Sequence, residues 1–211
     1  MILENKPALY FWRKAISYIT NKNYTEKIKY VDYDERQPKR YIFNFEVNLK
    51  VEYAIDKDNE EIASIGVRCW RDSYQDIFPK KVLDNLLVED RVNRRIKAFN
   101  SPNIFSIVVK FQDKIIGFCD FGKSSHLEFA QWEIHSLYVL QEYRSFGVGE
   151  LLIKYAIDYF RKNSFIPFIV VTLEANKKAC KFYEKMGFYK ISSIMSEISD
   201  ELYPEVIYLF S

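Results

Sequence analysis

The sequence predicts an α/β fold built on a mixed central β-sheet flanked by helices. Three observations carry that expectation. Residues 131–162 read as a strand, a glycine loop and an amphipathic helix in direct succession. The apolar, β-prone run Ile134–Leu140 is the strand, and Val148, Leu151, Leu152, Tyr155, Ala156 and Tyr159 recur at i, i+3, i+4 spacing in the helix. Next, Phe165–Leu173 is continuously apolar, as a strand buried on both faces must be. Last, the order from residue 50 is strand, two helices, three strands, helix, strand, helix, two strands, and that alternation belongs to mixed α/β layers.

The elements follow from local signals. Residues 3–22 form a helix, with Pro7 in its first turn and Leu9, Trp12, Ile16 and Ile19 on one apolar face. Ile28–Tyr33 and Tyr41–Leu49 are strands, and the second can run on through Val51, Tyr53 and Ile55. Glu60–Tyr74 is a helix with Ile62, Ile65, Cys69 and Trp70 inward. Lys80–Phe99 is a second helical region, and its Lys/Arg-rich run Arg91–Lys97 is expected to be a solvated face. Ile104–Phe111 and Ile115–Phe121 form a hairpin. Asn176 caps a helix carrying Ala179, Phe182, Tyr183 and Met186, which Gly187 ends. Phe188–Met195 and Val206–Phe210 close the sheet.

Composition limits the function classes. The 211 residues suit one domain, or one domain with an extension. No apolar run reaches membrane-spanning length, and MILENKPALYFWRK lacks the layout of a signal peptide. Cys69, Cys119 and Cys180 are too few and too scattered for a zinc site, and they suit free thiols in a reducing compartment. The expected location is the cytoplasm. A net charge of +2 does not point to nucleic acid.

Chemistry concentrates at Arg144-Ser145-Phe146-Gly147-Val148-Gly149. Two glycines at a strand-to-helix junction let backbone N–H groups approach a ligand, and the helix N-terminus behind them attracts anions, phosphate above all. A dinucleotide fingerprint needs Gly or Ala where Leu152 stands. A P-loop needs Lys where Glu150 follows the glycine. The loop instead resembles the Arg/Gln-x-x-Gly-x-Gly/Ala loop of the GNAT superfamily of N-acetyltransferases, which holds the diphosphate of coenzyme A. LYVLQEYRSFGVGELLI is similar to that family's strand–loop–helix, and NKKACKFYEKMGF to its Asn-x-x-Ala-x-x-Phe-Tyr-x-x-x-Gly-Phe helix. GVRCWRDSYQDIFP resembles its acceptor-side helices.

The resemblance implies an acetyl-CoA-dependent N-acetyltransferase domain over residues 51–211, with no metal. Arg144 and the backbone of Ser145, Phe146, Gly147, Val148 and Gly149 would hold the diphosphate. Leu137 and Val139 would offer strand backbone to the pantetheine amides, and Asn176 would touch the cofactor. Tyr183 is the candidate acid: a phenol of ordinary pKa about 10 stays protonated beside a thiol of about 8.5. Glu133 is the candidate base, acting through water. By strict alternation it shares a strand side with His135 and Leu137, unless a bulge changes the parity. The acceptor is an amine of a small molecule or a protein, and a homodimer is possible. A non-catalytic acyl-CoA-binding or regulatory module is the competing class.

The chain also echoes itself. Asn5–Lys14 matches Asn176–Lys185 at five of ten positions, with Trp12 opposite Tyr183, and two strands follow each segment. Residues 1–50 therefore read as a partial copy of the C-terminal part of the same fold. That copy should be catalytically silent, because Trp12 has no phenol.

Overall fold

The apolar strand segments from residue 50 onward pair into one sheet. A computed structural model of the chain describes residues 6–19, 24–30, 39–45 and 49–211. They belong to two compact units, residues 1–49 and 50–211.

The first unit is α1 (Lys6–Ile19) followed by an antiparallel hairpin, β1 (Tyr24–Tyr30) and β2 (Lys39–Phe45). Arg13 of α1 grips Glu26 of β1 with two bonds of 2.8 and 2.5 Å. Ile16 is buried, but Trp12 is 50% exposed, so the predicted apolar face is only partly covered. Both strands begin earlier than their β-propensity suggests. Residues 31–33 and 46–48 of the predicted strands, and Asn5 of the echo, lie outside the described residues.

The second unit opens with β3 (Lys50–Tyr53), the predicted continuation past residue 50, which is a separate strand of a different sheet. Three helices follow: α2 (Asn59–Tyr74), α3 (Lys80–Asp84) and α4 (Val88–Phe99). The single helical region expected over Lys80–Phe99 is thus broken. Then come β4 (Ile104–Phe111), β5 (Lys114–Lys123), β6 (Trp132–Val139), α5 (Val148–Lys162), β7 (Phe168–Leu173), α6 (Lys177–Lys185), β8 (Tyr189–Ile198) and β9 (Glu201–Phe210). The seven strands lie in the order β3-β4-β5-β6-β7-β9-β8. Every neighbouring pair is antiparallel except β6–β7, which is parallel. The α/β expectation therefore holds, with a mixed central sheet and flanking helices.

Two tight turns set hairpin registers. Gln112 and Asp113 between β4 and β5, and Ser199 and Asp200 between β8 and β9, all have positive φ, from 50° to 66°. Two such residues in succession give a turn whose twist matches that of paired strands. The last hairpin is accordingly longer than predicted.

The core lies between α5 and the sheet. Val148, Leu152, Ile153, Ala156, Ile157 and Phe160 are the buried residues of α5. This stripe is rotated from the predicted one, which used Leu151, Tyr155 and Tyr159. Ile153, Ile157 and Phe160 are purely apolar, whereas the tyrosines keep a hydroxyl at the edge. Phe160 meets Phe121 and Phe168 at ring separations of 5.4 and 4.3 Å. Each buried ring of this kind contributes about 1.5–3 kcal/mol.

Candidate functional site

The central feature is a gap in the sheet. β6 and β7 pair only at Trp132–Phe168, Glu133–Ile169 and Ile134–Val170, although β6 continues to Val139 and β7 to Leu173. Beyond Ile134 the two parallel strands part. Among the described residues, their facing backbone edges have no strand partner, and an extended ligand could pair with β6 there. The divergence starts at a bulge. Asp120 of β5 pairs with Ser136 and Phe121 with Ile134, so His135 is the extra residue in β6. A bulge bends its strand and sharpens the twist.

The glycine loop stands at the end of the gap. Ser145 and Gly147 have φ of +68° and +81°. The Gly147 conformation strains any residue with a Cβ, and nothing would lie within 4 Å of such a Cβ, so the turn is open to its surroundings. Leu151 is the first residue after Arg144 whose N–H meets a backbone carbonyl, that of Gly147 at 2.9 Å. Among the described residues, the N–H groups of Ser145 to Glu150 have no such acceptor, and no side chain caps α5. Consecutive free N–H groups at a helix N-terminus form a concave anion cradle. The turn at Gly149 sits in ordinary contact distance of Leu137 of β6 and the Phe182 ring of α6, at 3.8 and 3.6 Å from where a Cβ would be. The loop, the gap-lining strand and α6 therefore meet at one place.

Arg144 is anchored within the fold. Its Nε donates to the Val139 carbonyl at 3.0 Å, and its guanidinium also reaches Ser73 Oγ at 3.2 Å. The Cys69 thiol donates to the same carbonyl at 3.4 Å. Arg144 thus ties the end of β6 to α2, beside the backbone N–H groups of the cradle. Val139 keeps only its N–H for a ligand.

Tyr183 and Asn176 come from α6. Asn176 Oδ1 accepts from the Ala179 N–H at 3.1 Å, the expected cap. Tyr183 is 6% exposed and its hydroxyl makes no hydrogen bond among the described residues. Burial, and then the neighbouring Cys119, Tyr74 and Cys180, push this phenol well above its ordinary range. It keeps its proton at any working pH.

Glu133 faces the other way. The bulge changes parity: Leu137 faces α5, as its contact with Gly149 shows, while Glu133 shares its side with Ser136 and Tyr138. The expectation that Glu133 lies on the side of Leu137 is therefore overturned, and the unpaired His135 is the physical reason. Glu133 is 4% exposed and saturated with donors. Its Oε2 accepts from Ser124 Oγ, Ser125 N and Ser125 Oγ, each at 3.0 Å, and lies 3.3 Å from His126 Nδ1. Oε1 lies 3.6 Å from His135 Nδ1. Burial raises this carboxyl, but the hydrogen bond and charge of His135, the Ser125 N–H and His126 outweigh it and hold it at about 2.

Sequence reasoning missed the polar groups on the α2–α4 side. Arg95 forks Asp120 at 3.0 and 2.8 Å and reaches Ser106 Oγ, while Ser136 donates to Asp120 at 2.8 Å. The Arg95 side chain is 10% exposed. The reading of Arg91–Lys97 as a solvated face is therefore wrong at Arg95, and at the half-buried Arg91. The one available signal was Asp120 in an otherwise apolar strand.

Among the described residues, no cluster of His, Cys, Asp and Glu could hold a metal ion, and no helix is long and apolar enough to cross a membrane.

The parted strands with a backbone anion cradle at their end form a cleft suited to an extended, anionic ligand. A profile of the acetyltransferase (GNAT) family matches residues 51–188, and the chain belongs to that family. The uncharacterized N-acetyltransferase YuaI of Bacillus subtilis is 24% identical over 153 residues, covering 71% of this chain and 86% of the relative. The PaiA N-acetyltransferase of Thermoplasma acidophilum, solved with coenzyme A, superposes with a TM-score of 0.60 at 16% identity, covering 75% of this chain and 98% of that one. YncA of Salmonella typhimurium, a putative acetyltransferase solved with acetyl-CoA, gives 0.59 at 15% identity over 77% and 93%. The likeness to these two structures is one of fold.

Proposed function

We propose that the chain transfers an acetyl group from acetyl-CoA to a primary amine by direct attack within a ternary complex. The observation that carries this reading is the gap between β6 and β7 with the free N–H run of Ser145–Glu150 at its end. The residues fit the group: a cradle of this kind suits a diphosphate, and an unpaired strand edge suits an extended amide chain. Leu137 and the Val139 N–H would pair with that chain, and Asn176 would flank it. Acetyl-CoA, when bound, would supply the activated thioester.

The side chains divide the proton work. Tyr183 donates a hydrogen bond to the departing sulfur. Its burial makes a phenolate costly, so it stabilises developing charge while keeping its proton. Glu133 lies on the side of the sheet that carries α2 and α4, where the acceptor approaches in this reading. A carboxyl held at about 2 keeps no proton at working pH. Holding no proton itself, it orients the serine hydroxyls and imidazoles of its shell, through which the amine's proton passes to solvent. Residues 1–49 take no part in cofactor binding in this reading and act as an accessory extension that echoes the α6–β8–β9 segment.

The saturated shell of Glu133 also favours a second reading, an acyl-CoA-binding module without turnover. Thiol release from acetyl-CoA across a panel of amines separates the two: the enzyme releases coenzyme A with at least one amine, the module with none. Gly149→Glu is expected to abolish coenzyme A binding in calorimetry, because a carboxylate would project at the cradle. Unchanged affinity in a folded variant overturns both readings of the loop.

A further inference from the structure

The surface around Arg91 belongs to the same candidate site and was not anticipated from the sequence. Arg91 of α4 is half-buried and lies over the Trp70 ring, 4.9 Å from its centroid. Trp70 Nε1 donates to the Tyr138 hydroxyl at 2.7 Å. Tyr138 belongs to β6 beyond the point where β7 departs. Arg91 therefore connects to the lip of the gap through one indole. Phe78 stacks on Trp70 at 5.5 Å, and Tyr203 meets Phe78 edge-on at 4.7 Å. The result is an aromatic wall with a cation set into it.

The surroundings of this cation are unusual within the unit. Arg95 pairs with Asp120, Arg68 with Glu142, Arg71 with two carbonyls, and Arg144 with Val139 and Ser73. Arg94 and Arg161 are exposed. Arg91 alone among the described arginines of residues 50–211 is half-buried with no oxygen acceptor for its guanidinium. Its nitrogens are not among the sealed, unpartnered atoms, so they open toward solvent. Burial is the largest influence on it and lowers its proton affinity, as Arg94 does; the groups that offset this are the phenols of Tyr138 and Tyr74. A cation partly withdrawn from water without a counter-charge carries a desolvation cost, and a planar guanidinium matches a carboxylate with two parallel bonds.

We infer that Arg91 receives a carboxylate of the acceptor, so that the amine acetylated by this protein belongs to an amino-acid-like molecule. The proposal rests on the transferase reading above and names its substrate class. The amine is presented at the gap beside Tyr138, while the carboxylate turns back to Arg91 over the Trp70 indole.

The test uses the full chain and pairs of L-amino acids and their carboxamides, compared per unprotonated amine because the carboxamide also lowers the proton affinity of the neighbouring amine. With acetyl-CoA saturating, the wild type is expected to favour the acid over its amide by about tenfold or more in kcat/KM, chiefly through KM. Arg91→Gln should bring the two members of each pair to within about twofold. Arg91→Lys, which keeps the charge, should keep a preference for the acid. Calorimetry with the N-acetylated acids and amides on the coenzyme A-loaded protein reads the same preference without turnover. A wild type that favours amides, or an Arg91→Gln variant with the wild-type preference, overturns the inference. If no amine releases thiol yet the acetylated acids still bind through Arg91, the transferase reading fails and the carboxylate site stands. If amides and acids are equal while thiol is released, the carboxylate site fails alone. Preference only for peptides with a free C-terminal carboxylate would overturn the small-molecule acceptor.

Discussion

Replacing Glu133 with glutamine tests the buried carboxylate that four neighbours hold. In the folded protein this carboxyl sits at about 2, against 4.5 for the free side chain. A group whose folded pKa lies below its unfolded value stabilises the fold above the unfolded value. That stability is lost as pH falls through the folded value. The window here runs from pH 4.5 down to about 2. A shift of roughly 2.5 units at about 1.36 kcal/mol each gives on the order of 3 kcal/mol at pH 7. For a domain of this size, that is roughly 10 °C in Tm. Urea denaturation at pH 7 should place Glu133→Gln below the wild type by about this amount. Between pH 5 and 3 the wild type should lose stability faster than the variant, so that the two converge. Equal midpoints at pH 7, or parallel pH profiles, would refute the argument that Ser124, Ser125, His126 and His135 stabilise the ionised form. The same variant should lower kcat by about 10² if proton removal runs through this shell.

Two further outcomes are expected. Tyr183→Phe should lower kcat about tenfold or more while leaving coenzyme A affinity and Tm nearly unchanged, because the hydroxyl makes no hydrogen bond in the folded chain as described. Undiminished turnover with chemistry rate-limiting would make Tyr183 a packing residue. Asp120→Ala should destabilise the fold by about 3–5 kcal/mol in urea, since it strands the guanidinium of Arg95, whose side chain is 10% exposed. An Arg95→Met/Asp120→Leu double variant should recover most of that loss, and failure to recover it would mean the pair does more than neutralise itself.

The sequence by itself settled whatever depends on neighbours along the chain. The period of α5, the cap at Asn176 and the glycine turn before Val148 are local, because propensity, capping and positive φ act within a few residues. The family followed from two such motifs in order. Even here the buried stripe of α5 was rotated, because Ile153, Ile157 and Phe160 meet a sheet that periodicity does not see.

Only the tertiary structure decided the rest. One extra residue, His135, shifted the parity of β6 and placed Glu133 and Leu137 on opposite faces, and alternation cannot announce a bulge set by a partner strand. Arg144 turned toward Val139 and Ser73 because an unpaired strand carbonyl and a helix hydroxyl lay within reach. Arg91 and Arg95 stand in one basic run that reads as a uniform solvated face. The sheet beneath separated them: Asp120 met Arg95, and Trp70 met Arg91. A charge run fixes how many cations a helix carries. Which of them is neutralised, and which is left for a ligand, depends on side chains that the fold brings in, for Arg95 an aspartate 25 residues away, and no local pattern encodes that pairing.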